Sequence, residues 1–202
     1  MDAPPSGIRD INKYSLKALH ELRIHVKIDQ PITVNVLQGS CECFGTNMIS
    51  SLTYQLTAAG GYSFFSWSGC ELEVTGAPQL IYTSNDTSFP LLANINHELE
   101  KDRRHSDNNN IAGPTMLILG RSETGKSCIL RTLCHYALRT GWSPTYVDIN
   151  PESNNLSIPG TLTATPIEMQ SSMFLYSALV PSSRFDLEIN PFFILRPPIA
   201  LH

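Results

Sequence analysis

Residues Gly120, Arg121, Ser122, Glu123, Thr124, Gly125, Lys126 and Ser127 follow the pattern G-x-x-x-x-G-K-[ST] in full. Each fixed position has a chemical reason. The two glycines let the backbone turn tightly and bring N–H groups towards an anion. Lys126 supplies a point charge for the β- and γ-phosphates of a nucleotide, and Ser127 a hydroxyl for magnesium. The flanks agree with this reading. TMLILG (115–120) is a short apolar run of strand type. SCILRTLCHYALRTG (127–141) repeats with helical period, with Ile129, Leu133, Tyr136 and Ala137 on one face. Gly141 supplies a stop. A helix starting near Lys126 points its positive end at the bound phosphate. A glycine-rich turn joining strand to helix is the plain alternative. The residues in this order favour nucleotide binding.

Transfer or hydrolysis needs more than a phosphate cradle. A carboxylate must orient magnesium or accept a proton from the attacking group. The expected place is the C-terminal end of the next strand, TYVDIN (145–150), which closes on Asn150. Its amide ligates weakly and cannot act as a general base. Asp148 lies two positions earlier on the same strand face, about 6–7 Å further in at strand rise. Glu152 is a loop acid that could reach in, with a solvated loop position as its plain alternative.

Other elements must hold this loop in place. LRIHVKI (22–28) and ITVNV (32–36) alternate apolar and polar residues, as half-buried strands do. SLTYQLT, YSFFSWS, CELEVTG and QLIYTS continue the series, with Gly39, Gly45, Gly60, Gly61, Gly69 and Gly76 between or beside them as turns. The spacing predicts a small β-sandwich or barrel over residues 21–85. Residues 1–20, rich in proline and polar groups, read as a flexible leader. LLANINHELEKDRRH (91–105) reads as a helix with Leu92, Ile95 and Leu99 on one face, ended by the loop SDNNN; residues 86–111 are helix and linker. Residues 112–202 read as the N-terminal part of a P-loop domain. The fold class is therefore α/β plus all-β: a small N-terminal β-sandwich, then an incomplete parallel α/β domain of P-loop NTPase type. The apolar ending FFILRPPIAL (192–201) reads as a domain cut short.

Bulk properties narrow the function classes. The net charge is −4 and the pI about 5.8, so no global basic footprint favours non-specific nucleic-acid binding. KDRRH (101–105) is read as a charged helix end. No apolar run is long enough to span a bilayer, so no membrane partner is expected. The five cysteines show no C-x-x-C pairing and read as reduced packing thiols.

Beyond the phosphate loop, ELRIHV, VLQGSCECFGT, FFSWSGCELEVTG, TYVDIN and LSIPGTLTATPIEM occur in one order. With GRSETGKSCILRTLCHYALRTGWSP they resemble the Clp-type ATP-binding subunit of the pre-mRNA cleavage and polyadenylation factor, a polynucleotide-kinase-like family. The resemblance runs from about Glu21 to the C-terminus. It implies an N-terminal β domain, a central P-loop domain and a further β-rich domain, of which this chain carries the first and the start of the second. It implies ATP with Mg2+ between the first two domains, held by Gly120 to Ser127 and the following Cys128, with Ser127 on the metal. Glu21, from the ELR motif, would contact the adenine end. A family lysine near position 61 has no counterpart, because Gly61 stands there. Active RNA kinases of the family end the strand in D-x-G-Q; here the residues are Asn150, Pro151, Glu152 and Ser153. No residue is therefore assigned as catalytic.

The resemblance implies an ATP-binding, non-catalytic subunit of the nuclear mRNA 3′-end processing complex, in which bound ATP supports assembly. Its partners would be the scaffold subunit that binds the RNA polymerase II tail and other processing subunits, with RNA contacted indirectly. The alternatives are an active ATP-dependent polynucleotide 5′-hydroxyl kinase acting on RNA, and a truncated remnant without a working site.

Overall fold

Alternating apolar residues fold the first half of the chain into two facing sheets. The computed structural model describes residues 10–28, 30–57, 59–150, 161–167, 180–181 and 193–195. Nine strands come first: β1 (Ile11–Leu16), β2 (His20–Val26), β3 (Ile32–Gly39), β4 (Glu42–Cys43), β5 (Thr46–Asn47), β6 (Thr53–Leu56), β7 (Gly60–Ser66), β8 (Cys70–Thr75) and β9 (Leu80–Ser84). Two helices follow, α1 (Phe89–Asn109) and α2 (Lys126–Arg139). Then come β10 (Thr145–Asp148), β11 (Leu162–Pro166), β12 (Val180–Pro181) and β13 (Phe193–Leu195).

One sheet has the order β1-β8-β3-β6-β12 and the other β5-β4-β7-β2-β9, with antiparallel pairing throughout. Inward residues from both sheets make the core. Leu22 and Ile24 of β2, Val34 and Val36 of β3, Leu56, Phe64 and Leu72 are all buried there. This is the packing that the period-two pattern predicts. Cys41, Cys43 and Cys70 belong to the same core, and Cys134 packs in the smaller core around α2 and β10; all four are free thiols. Burial pushes the Cys134 thiol up to about 11, so it stays protonated at neutral pH.

Four sequence expectations need correction. First, the flexible leader does not extend to residue 20: Ile11–Leu16 form β1, paired along β8. Leu16 is buried and Tyr14 half-buried, while Ile11 faces solvent, so the strand carried little apolar signal. Hydrogen bonding to the edge of β8 supplies what the pattern lacks. Second, SDNNN does not end the helix at 105. The helix runs to Asn109, with the Ser106 hydroxyl donating to the Asp102 carbonyl and Asn110 in the left-handed region as the cap.

Third, TMLILG forms no strand. Residues 111–121 carry no regular secondary structure, and Leu117 and Leu119 are exposed. A strand is defined by its ladder, and no described strand pairs with this run. Fourth, the sheet after α2 is antiparallel, in the order β10-β11-β13. β10 and β11 are successive and pair directly, which favours the antiparallel arrangement; β13 then joins β11 after β12, which belongs to the sandwich. The broad architecture of a β-sandwich followed by a phosphate-loop unit stands.

Candidate nucleotide-binding site

The site is built where α2 meets the sandwich. Gly125, at φ +83°, turns the chain into α2 at its N-cap, and no side chain caps the first turn. The first N–H groups of the helix are thus available to an anion, reinforced by the helix dipole. Thr124 donates its hydroxyl to the Arg121 carbonyl at 2.8 Å. The Lys126 ammonium donates to the same carbonyl. Both bonds curl the loop back on itself. A Cβ at Gly120 would lie 3.1 Å from the Thr124 hydroxyl, so the curl is close-packed there. Arg121, Ser122, Ser127 and Cys128 are exposed. The residues present thus fit a phosphate chain: free helix N–H groups, a lysine and a serine beside them, and no acid in the helix's first turn.

Facing the loop is the outer part of β2. Glu21 is almost fully buried, and its carboxylate accepts hydrogen bonds from Arg23, from the Ser63 hydroxyl and from Thr87 at 3.4 Å. Arg23 reaches on to the Asp86 carbonyl at 2.6 Å and lies over the Tyr82 ring, 5.9 Å from its centroid. Gly61 is registered opposite His25, and a Cβ there would sit 3.3 Å from the imidazole.

A cavity of about 530 Å3 joins the two sides. That volume lies in the range of small-molecule sites. Of the residues expected from sequence, Glu21, Gly61, Glu123, Thr124, Gly125 and Cys128 line it. Gly120, Arg121 and Ser122 of the loop and Lys126 and Ser127 of α2 are not among its lining residues. Sequence reasoning missed Arg23, His25, Phe44, Tyr82, Phe89 and Thr132, which also line it. Arg23 was within reach, standing two positions after Glu21 on the same strand face. Phe44 and Thr132 come from distant parts of the chain, with no local signal linking them.

The expected strand to Asn150 is shorter in the structure: β10 ends on Asp148. Asp148 is buried and accepts the Asn150 backbone N–H at 3.0 Å. Asn150 itself is exposed. Pro151, Glu152 and Ser153 lie outside the described residues. Trp142, just past α2, donates its indole N–H to Glu100 at 2.8 Å and so ties the end of α2 to α1.

A β-sandwich whose polar face looks onto a phosphate loop defines a P-loop protein with an N-terminal β domain. Comparison with known families agrees. Residues 15–106 match the N-terminal beta-sandwich domain of polyadenylation factor, and residues 120–183 match the mRNA cleavage and polyadenylation factor CLP1 P-loop. The chain belongs to this CLP1 family. It is 35% identical over 156 residues to the polyribonucleotide 5′-hydroxyl-kinase Clp1 of Bos taurus, covering 77% of this chain and 37% of that protein. The Xenopus laevis protein of the same name is 33% identical over 167 residues, with 83% and 38% covered. Among solved structures, the wild-type Clp1p–Pcf11p complex superposes with a TM-score of 0.70 at 28% identity, covering 79% of this chain and 37% of that one. A second structure describes the extended Pcf11p–Clp1p interface and ATP loss in a glycine-to-arginine point mutant. It gives a TM-score of 0.70 at 26% identity, covering 80% and 38%. The chain therefore spans under two-fifths of the length of these relatives.

Proposed function

We propose that this chain holds ATP with Mg2+ at the junction of its two units, without turning it over, as a subunit of the nuclear mRNA 3′-end cleavage and polyadenylation machinery. The carrying observation is the shared cavity. Residues of the sandwich, Glu21 and Arg23 with Gly61, and residues of the phosphate loop, Glu123 to Gly125, line one space sized for a nucleotide. In this reading the uncapped first turn of α2 receives the phosphates, Lys126 releases the Arg121 carbonyl and turns to them, and Ser127 meets the metal. Family membership and the ATP-linked Clp1p–Pcf11p complexes support the role. The scaffold partner would be the subunit tied to the RNA polymerase II tail.

A second reading is an RNA 5′-hydroxyl kinase. It is favoured by the relatives' own names. Against it stands Asn150, two residues past the end of β10, at the position where the resemblance puts the acid of active members; Asp148, on which β10 ends, is buried. The test is the nucleotide content of the purified chain, released by denaturation and resolved by anion exchange. Stoichiometric intact ATP supports the holding role. ADP that accumulates with a 5′-phosphorylated RNA product supports the kinase, and an empty chain overturns both.

A further inference from the structure

The outer sheet carries two buried carboxylates in one register. Glu21 of β2 and Glu42 of β4 are both paired with Phe65 of β7, from opposite sides. Directly paired residues share a sheet face, so the two carboxylates stand on the same face with one strand between them, about 9–10 Å apart along the sheet. Glu21 lines the cavity, whereas Glu42 does not. Glu42 is 1% exposed and grips the far end of α2 instead. It accepts the Tyr136 hydroxyl at 2.5 Å and the Arg139 guanidinium at 3.0 Å.

The turn that follows Glu42 completes the grip. His135 Nδ1–H donates to the Phe44 carbonyl at 2.7 Å, and Arg139 reaches the Gly45 carbonyl at 3.3 Å. A Cβ at Gly45 would stand 2.8 Å from the Thr132 carbonyl, so the turn lies directly on the helix backbone. Burial and the neighbouring Glu42 carboxylate push the Tyr136 phenol far up, so it stays a donor at every working pH.

A buried ion pair is a weak route to stability, since apolar packing of equal volume does as well or better. Its distinctive effect is to fix geometry. An α-helix is stiff, and the other end of this one carries the phosphate loop. We propose that Glu42 is a positioning residue: it sets α2 against the sandwich so that the phosphate loop faces the Glu21 side at nucleotide spacing. The proposal rests on the nucleotide site described above.

The test uses the full chain and three variants: Glu42→Gln, Tyr136→Phe and Glu42→Met. ATP affinity is measured by calorimetry per folded molecule, and hydrogen exchange is followed without nucleotide for amides 129–133, the first that α2 bonds within itself. Glu42→Gln keeps the acceptor for Tyr136 but turns an N–H2 towards Arg139. It should weaken ATP binding about tenfold, because the contacts to a bound ligand depend on how the loop is placed. Exchange at 129–133 should rise about tenfold while β2, β3 and β8 stay as in the parent. Tyr136→Phe should act in the same direction with smaller effect. Glu42→Met keeps the volume but leaves the buried Tyr136 hydroxyl without its acceptor, so it should lose some stability, and the molecules that stay folded should bind ATP about tenfold more weakly. A folded Glu42→Met chain with parental ATP affinity and parental exchange overturns the proposal. If the parent binds no ATP, the functional reading falls, and the exchange measurement alone decides for or against Glu42.

Discussion

Lys126 shows how far one residue's chemistry can be read before any fold is known. Its ammonium donates to the Arg121 carbonyl within its own loop, a bond that an incoming phosphate would replace. Charged hydrogen bonds of this kind are worth about 1.5–3 kcal/mol, or roughly ten- to hundredfold in affinity. Lys126→Ala should therefore weaken ATP binding by about that factor, read by calorimetry on matched folded samples. Unchanged affinity would remove the loop from the site. Glycines divide at the same scale. Gly45 has φ +79° and backbone 2.8 Å from where a Cβ would be, so Gly45→Ala should cost about 1–3 kcal/mol in urea unfolding. Gly61 has ordinary φ and meets only the movable His25 ring, so Gly61→Ala should stay within about 0.5 kcal/mol. Equal costs for the two would show that the hairpin turn does not press on α2. Sequence marked both as turn residues alike; the neighbour across the contact tells them apart.

The element that joins the two units is α2, and one of its residues gives the junction a pH dependence. His135 is buried at the contact with the Phe44 carbonyl. Burial, assisted by the Arg131 charge, holds its imidazole below the usual range, against the opposing pull of that hydrogen bond. The folded chain therefore binds this proton less readily than the unfolded chain does. Its stabilising contribution is complete above the unfolded value of about 6.5 and is lost as pH falls below it. Urea unfolding between pH 7.5 and 5.5 should show stability falling by at most about 1.4 kcal/mol per pH unit from this one group. His135→Asn should remove that component of the slope; an unaltered slope would place its origin elsewhere. The helices and six of the strands were legible from periodicity, because side chains on them alternate or wind towards one core. The short β4 and β5 were not. Two-residue strands have no period, and they exist because β7 offers a paired edge and α2 a surface to touch.

Among the described residues, several large apolar side chains before the phosphate loop and around β10 are exposed. Leu117 and Leu119 before the phosphate loop, and Val147 and Ile149 in and after β10, are each more than half exposed. Apolar surface of this kind attracts partners. Because these side chains are already in water in the monomer, changing Leu117 and Leu119 together to serine should alter unfolding free energy by no more than about 0.5 kcal/mol. It should also reduce concentration-dependent association in sedimentation velocity. A loss above about 2 kcal/mol would show that the pair is buried in the solution state. No helix among the described residues is long and apolar enough to cross a membrane.

The sequence alone determined the phosphate loop, the longer strands of the sandwich from β2 to β9 and the absence of an acid at position 150, because each is written in residue type and short-range spacing. Tertiary structure decided which residues meet. It brought Phe44 and Thr132 onto the cavity that Glu21 and Gly125 share, and put Glu42 in register with Glu21 across β7. It also left TMLILG without a ladder and made the last sheet antiparallel. The reason is common to all of these. Local pattern states what a segment prefers, whereas hydrogen-bond pairing and interdomain contact depend on partners that lie far away along the chain.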